Sequence, residues 1–470
     1  MDDPTATPPQ LRRAMGFWDV VLFFVAAVVG LRWIATAAAV GPSSLVVWLI
    51  AFVAFFVPLA FTVVELSGRY PEEGGLYIWV KRAFGDFAGF IAGWMYWTSN
   101  LVYFPGLLYF SAGNALFMGG SSWQALSDSA PYYMVASLAG LGLALALNLV
   151  GLGVGKWLHN AGGVGTWIPV GLLVVMGAVA WARFGPAQDF GLAALAPTIG
   201  VKEIVFWSTI AFGFGGFEAA SFMSEEIVDA RRVIPRAIAA AGAIITGIYV
   251  LGTAAVLVAL PPGDVSSLQG IMQAIARTGE RIGLPAAGAA AALLITIGNV
   301  GGVGAWLAST ARLPFVAGID RYLPPAFARL HPRWGTPYVA LIVQAAGAAL
   351  FVVLGQAGTN VKGAYDFLVG LGVISYFIPY LMMFAAMIVL QREPAPAGTL
   401  RVPGGRPVAI LLASVGLATT AISIVLAALP PEGSTDPALA VVKVVGSGVG
   451  LLALGVLLFG RAWLRARRAR

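Results

Sequence analysis

About twelve apolar runs, each close to the length that crosses a bilayer, decide what this chain can fold into. A hydrocarbon core of ~30 Å takes about 20 residues of helix. The runs fall near residues 17–40, 44–66, 88–117, 132–151, 162–183, 203–226, 237–260, 285–312, 337–354, 364–390, 407–429 and 438–460. Lipid offers backbone N–H and C=O groups no partner, so spanning segments of this length fold as helices that satisfy themselves. Composition agrees. Only 10% of the 470 residues are charged and 59% are hydrophobic, with mean hydropathy +0.87, against about 25% charged in a soluble domain. The sequence therefore predicts an all-α polytopic membrane protein with no long soluble domain.

The net charge of +7 follows from topology rather than from a nucleic-acid partner. Most Lys and Arg residues fall in alternate loops and in the two tails, as at Arg12-Arg13, Lys81-Arg82, Arg231-Arg232 and Arg461 to Arg470. The positive-inside rule then places both termini in the cytoplasm, and the expected location is the inner (cytoplasmic) membrane. The polar start, MDDPTATPPQLRR, lacks the short apolar core and cleavage site of a signal peptide, so the first span should stay uncleaved. There are no cysteines, which excludes disulfides and thiolate chemistry. His159 and His331 fall in predicted cytoplasmic loops, so no metal site is expected.

One stretch breaks the apolar pattern most sharply: Phe206–Pro235, FWSTIAFGFGGFEAASFMSEEIVDARRVIP. Phe212-Gly213-Phe214-Gly215-Gly216-Phe217-Glu218 puts three glycines and a carboxylate inside the sixth span. A mid-helix glycine costs ~1 kcal/mol against alanine, and an intramembrane carboxylate is expensive unless it faces protein or water. Broken helices of this kind form the binding sites of many secondary transporters. A glycine-rich packing face with a snorkelling glutamate is the plainer reading. The first span is interrupted too, at Val29-Gly30-Leu31-Arg32. An arginine at mid-bilayer must meet a wet or paired site. Arg32 either pairs with a buried carboxylate such as Glu218 or Glu65, or offers a positive charge to an anionic ligand at a helix start.

Other polar residues are placed by spacing. Asn100, Tyr103 and Asn114 share one face of the third span; Asn114 reads as interhelical glue, while Asn100 and Tyr103 can reach a central cavity. The fifth span is rich in small residues and reads as a close-packing or sliding face without a lysine. The eighth carries Asn299, Trp306, Ser309 and Thr310, hydroxyls that either bond back to their own helix or offer oxygens to a hard cation. The segment SGRYPEEGGLYIWVKRAFGDFAG reads as an amphipathic helix at the membrane interface, turned in by Gly74-Gly75. Loop 261–284 reads as an external lid or a solvated connector.

Four stretches together carry a family likeness: the glycine-broken first span, VVELSGRYPEEGGLYIWVKRAFG at 63–85, FGFGGFEAASFMSEEIVDARRVIPRAI at 212–238, and STARLPFVAGIDRYLPPAFARLHPRWGTP at 309–337. With these the chain resembles the amino acid–polyamine–organocation superfamily of permeases. The resemblance implies a leucine-transporter-type fold, two inverted five-helix repeats plus two further spans, with discontinuous first and sixth helices. On that plan, 1–15 is a cytoplasmic tail, 16–200 the first repeat, 201–392 the second, 393–460 the two added spans and 461–470 a basic cytoplasmic tail.

The resemblance also implies roles. A substrate carboxylate would meet the N–H groups at Val29, Gly30, Leu31 and Arg32, and its ammonium the carbonyls of Phe212, Gly213, Gly215, Gly216 and Phe217. Asn100, Tyr103 and Trp306 would flank it, Glu218 would serve proton-sensitive gating, and Ala26, Val29, Ser309 and Thr310 match a sodium-site region of sodium-coupled relatives. The chain departs from the usual first-span pattern, because Leu31-Arg32 follows Gly30 where small residues are usual. The expected function is secondary active transport of neutral or acidic amino acids by alternating access, proton-coupled or as exchange. A polyamine or organic-cation transporter of the same fold and a sodium-coupled symporter are the alternatives. No cofactor beyond a coupling H+ or Na+ is expected, and the expected partners are the substrate and the lipid bilayer. An enzyme would need a nucleophile–base or metal set that the spans lack, and a channel would need repeated filter residues.

Overall fold

The computed structural model describes residues 15–70, 74–150, 152–197, 200–222, 227–311, 322–396, 398–430, 434 and 436–468. The expected tail before residue 15, the Glu225-Glu226 pair and residues 312–321 of the 309–337 stretch lie outside them. Among the described residues the chain is helical throughout, with a single isolated bridge between Met15 and Ile227. Ten helices are long and apolar enough to cross a membrane, and an eleventh candidate is a bent pair.

That pair is α1 (Phe17–Val28) and α2 (Leu31–Val40), which meet at 52° across Val29-Gly30. The second span is α3 (Ser44–Ala51), a π-turn over Phe52–Phe56, and α4 (Val57–Arg69). Pro58 has no N–H to give to the carbonyl of Ala54. The ladder widens locally, and Thr419 Oγ1 donates to that carbonyl at 3.1 Å instead. Next come α5 (Gly75–Phe84), α6 (Asp86–Ala115), α7 (Ala130–Val150) and α8 (Leu152–Phe184). Helix α8 begins at Leu152 rather than near 162, so Lys156 and His159 lie on helical backbone, not in the predicted loop.

The sixth apolar run is α9 (Val201–Phe212), a turn over Gly213–Gly216 and a 3-10 segment at Phe217–Phe222. It is followed by α10 (Ala230–Ala259), α11 (Gly270–Arg281), α12 (Ala286–Thr310), α13 (Tyr338–Gln356), α14 (Val361–Leu390), α15 (Gly405–Ala427) and α16 (Pro437–Arg468).

Two connectors pack onto the bundle as helices. Helix α5 turns its aromatic face to protein: Leu76, Tyr77, Trp79 and Val80 are buried, wedged against α6, α14 and the 3-10 segment, while Arg82 and Phe84 are exposed. Its entry is as expected, with Gly74 at φ +114°. The 261–284 connector forms α11, which buries Ile271, Met272, Ala274 and Ile275. Asn114 Nδ2 donates to Leu268 O and Gln269 Nε2 to Gly113 O, each at 3.0 Å, so this helix is docked onto the end of α6.

Helices α8 and α12 approach backbone to backbone. A Cβ on Gly165 would stand 2.3 Å from Leu294 O and 2.5 Å from Gly298 Cα. Only glycines allow that approach, the way small residues let membrane helices pack closely.

At the end of the bundle that carries Met15, a polar cluster ties α4 to α14. Glu65 Oε1 accepts from Arg69 Nη2 and Gln391 Nε2, each at 2.7 Å, and Glu65 Oε2 accepts from Val402 N at 2.9 Å. Arg69 Nη1 donates to the carbonyls of Leu390 and Glu393. Every charge in the cluster is paired and hydrogen-bonded, the condition under which burial is tolerated. Close by, Val228 N donates to Met15 O at 3.0 Å, pinning the lead-in of α1 to the chain after the 3-10 segment.

Candidate functional site

The two interruptions meet at one point, and a tyrosine fastens them. Tyr249 of α10 directs its hydroxyl at Val28 O (2.8 Å) and Gly213 O (2.9 Å), and accepts from Gly30 N (3.2 Å). One O–H donates to one carbonyl at a time, so the two broken backbones share the same buried phenol as a hydrogen-bond partner. Trp48 stacks on the Tyr249 ring at 4.2 Å and donates from Nε1 to Thr253 Oγ1.

Gly216 takes φ +123°, and a Cβ there would stand 3.0 Å from Val28, so a side chain would force the breaks apart. At Gly30 the reason is space: a Cβ would meet the Trp33 ring at 2.6 Å.

Between the breaks lies a cavity of about 40 Å³, lined by Ala27, Val28, Trp33, Ser99, Asn100, Tyr103, Phe212, Gly215, Gly216, Trp306, Gly372 and Tyr376. It has room for a few waters. Trp33 and Phe212 close over it edge to face at 5.2 Å, and Phe212 meets Tyr376 at 5.1 Å. Beyond this aromatic lid a vestibule of about 980 Å³ opens at the α11 end of the bundle, with Thr36, Thr209, Gln269, Tyr365 and Asp366 in its wall. The structure is narrow at the centre and wide at the α11 end.

Of the residues anticipated at the site, Asn100, Tyr103, Phe212, Gly215, Gly216 and Trp306 line the cavity. Val29, Gly30, Leu31, Arg32, Gly213 and Phe217 do not line it. Val29 belongs to the break, and its N–H bonds back to Val25 O. Leu31 is buried in the core, the Gly213 carbonyl accepts from Tyr249, and Phe217 packs on Phe24 and Phe56. Leu31 and Arg32 open α2, where the first N–H groups of a helix have no intrahelical acceptor.

Thr310 donates to Trp306 O at 2.6 Å and accepts from Gln344 Nε2 at 2.7 Å, while Ala26 and Ser309 are exposed. That hydroxyl follows the back-bonding alternative.

Glu218, fully buried, is enclosed by donors. Tyr96 OH (2.9 Å) and Tyr376 OH (2.7 Å) donate to Oε1; Tyr380 OH and Gly216 N (3.2 Å) donate to Oε2. A carboxylate only accepts, and all four partners give. A protonated carboxyl would need to turn one of these contacts into an acceptor. Tyr376 and Gly216 belong both to this enclosure and to the cavity wall, so the carboxylate and the cavity share two residues.

Arg32 is 3% exposed and pairs with neither Glu218 nor Glu65, whose oxygens are taken by the groups described above. Its guanidinium lies between the rings of Trp33 (4.1 Å) and Tyr103 (4.5 Å).

Sequence reading missed Tyr249, Tyr96, Tyr380 and Trp33. The available signal was the phenol itself, since a tyrosine in a lipid-grade run needs a partner for its hydroxyl.

The fold and the site together define a polytopic helical membrane protein with two broken helices facing each other around a small central cavity. Comparison with known proteins gives the family. The profile of the amino acid permease family matches residues 15–449, and the chain belongs to that family, within the amino acid–polyamine–organocation superfamily. It is 28% identical to an uncharacterized transporter of Legionella pneumophila, over 90% of each chain. It is 24% identical to a probable agmatine/putrescine antiporter of Lactococcus lactis, over 84% of each. A glutamate/serine transporter of Bacillus subtilis is 26% identical over 73% of this chain and 66% of its own.

Proposed function

We propose that this permease is a secondary active transporter, not an enzyme, that carries neutral or acidic amino acids by alternating access, with a proton or a second amino acid as the driving partner. The observation that carries the reading is the junction of the two breaks. The start of α2 offers N–H groups and the positive end of a helix dipole to a carboxylate. The end of α9 offers carbonyls and the negative end to an ammonium. A zwitterion satisfies both, and a simple amine satisfies only one. The cavity wall is aromatic and small, with no free carboxylate among the described residues, which favours an amino acid over a polyamine. The arrangement by which α1–α2 and α9 are the first and sixth of twelve spans, in two inverted repeats with both termini in the cytoplasm, belongs to the same proposal.

Proton coupling would run through Glu218. Protonation would cost the enclosure an acceptor and so disturb Tyr376 and Gly216, which touch the cavity. The vestibule would be the outward entrance.

Uptake into proteoliposomes, competed with single amino acids and with matched amines lacking the carboxyl group, tests the substrate class. Amino acids should compete and the amines should not; equal competition by putrescine or agmatine would overturn it.

A further inference from the structure

Helix α16 leaves the bundle through a basic end, and its packing fixes which way that end faces. It is the least buried of the ten candidate spans. One side lies on protein. Trp94 Nε1 donates to Leu451 O at 2.8 Å, and a Cβ on Gly455 would stand 2.4 Å from the Trp94 ring. The Phe459 ring meets Phe87 (5.2 Å), Phe90 (5.6 Å) and Tyr322 (4.7 Å). Leu451, Gly455 and Phe459 recur every four residues, so they set the rotation of the helix. The opposite side carries Leu454 and Leu457, both exposed along the span. The same spacing brings Arg461 and Arg465 onto that side.

The apolar run stops at Gly460, but the helix continues to Arg468. At about 1.5 Å per residue, Arg461, Arg465 and Arg467 follow Gly460 by roughly 2, 8 and 11 Å. The headgroup layer of one leaflet is about 5–8 Å thick, so these long side chains stand in it or reach back to it. All three residues are exposed, and among the described residues none has a carboxylate within ion-pair distance. The basic residues of the neighbouring α5 differ. Lys81 pairs with Asp86 at 3.1 Å and Arg82 with Glu393 at 3.2 Å. Arg467 stands over the Trp463 ring at 3.9 Å, and a tryptophan at a span end is an interfacial anchor. A charge run at a helix end is ordinarily only solvated. Here it continues the lipid-facing leucines of a span whose other side is clamped to protein.

We propose that Arg461, Arg465 and Arg467 form a binding site for the headgroup phosphate of an anionic phospholipid, in the leaflet at the Met15 end of the bundle. The acyl chains lie along Leu454 and Leu457. The phosphate meets the forks of Arg461 and Arg465, a geometry that guanidinium groups bind bidentately, and Arg467 flanks it from Trp463. A zwitterionic headgroup brings its own cation against these arginines and an anionic one does not, so net charge selects the anionic lipid. The site is independent of the substrate reading and requires only that α16 crosses the bilayer.

The test is lipid retention by the purified full chain, read by native mass spectrometry after release from nanodiscs of equal parts phosphatidylglycerol and phosphatidylcholine. The native protein should retain phosphatidylglycerol in preference. The triple variant Arg461→Gln, Arg465→Gln and Arg467→Gln should lower that ratio about tenfold or more, since each basic residue near a charged surface contributes about fivefold. The corresponding triple lysine variant keeps the charge and should stay within about threefold of the native ratio. All three side chains are exposed, so both variants should melt in detergent at the native temperature. Equal retention of the two lipids by the native protein, or a ratio that the glutamine variant leaves unchanged, would overturn the site. A native dimer that the glutamine variant converts to a monomer, with no change in lipid ratio, would assign this face to a second copy and overturn it as well.

Discussion

Tyr249 shows how much structure one hydroxyl can hold. Its hydroxyl lies within hydrogen-bond distance of three backbone groups from two different breaks. In Tyr249→Phe these buried groups lose their common partner. An unsatisfied buried polar group costs ~1–3 kcal/mol, so the variant should melt at lower temperature in detergent and lose transport, although the ring still packs on Trp48. An unchanged melt would mean that water or another group serves the breaks.

Glu218 was legible in the sequence as an expensive carboxylate; its three phenols were not, because they come from helices more than a hundred residues away on either side. Glu218→Gln replaces an acceptor-only group with one that must also donate. Its transport rate should lose the pH dependence of the native protein. A retained pH profile would remove Glu218 from coupling. Arg32 was visible as an anomaly from its position alone, but whether it paired depended on side-chain commitments elsewhere, at Glu65 and Glu218.

At the scale of elements, hydropathy located the ten helices long enough to span and the bent first pair, because length and apolarity are local properties. It could not name the helices that α5 packs on, because its mixed charge said only that one face is polar. The deciding fact is tertiary: the aromatic face of α5 finds α6, α14 and the 3-10 segment. The contact between α8 and α12 was anticipated as a small-residue face, but not its partner.

Around α5, charges tie elements together at the Met15 end of the bundle. Tyr70 OH donates to Glu393 Oε2 at 2.8 Å and Arg82 Nε approaches the same oxygen at 3.2 Å. The Tyr70 hydrogen bond first, and then Arg82, hold the Glu393 carboxyl below its ordinary value of 4.5. A group whose folded value is depressed stabilises the fold fully above the unfolded value and ceases to do so as pH falls through the folded one. The melting difference between the native protein and Glu393→Gln should therefore be present at neutral pH and vanish on acidification below the ordinary carboxyl range. A difference that persists there would show that the contact does not depend on charge.

For the whole molecule, the arrangement is a scaffold around one fault line. The cluster at Glu65, Arg69 and Gln391 and the Met15–Ile227 bridge tie helices together at one end, while the aromatic lid separates the cavity from an open vestibule at the other. The proposed alternating access would need the two ends to open in turn, and the breaks would supply the hinges that whole helices lack. The breaks were readable from glycine placement, but their meeting through Tyr249 was not.

The most direct measurement is a structure of the protein in lipid nanodiscs saturated with an amino acid that competes for uptake. The account predicts density between the start of α2 at Leu31-Arg32 and the end of α9 at Phe212–Gly216, with the carboxylate on the α2 side. Ligand density confined to the vestibule, or a first helix running unbroken past Gly30, would contradict it.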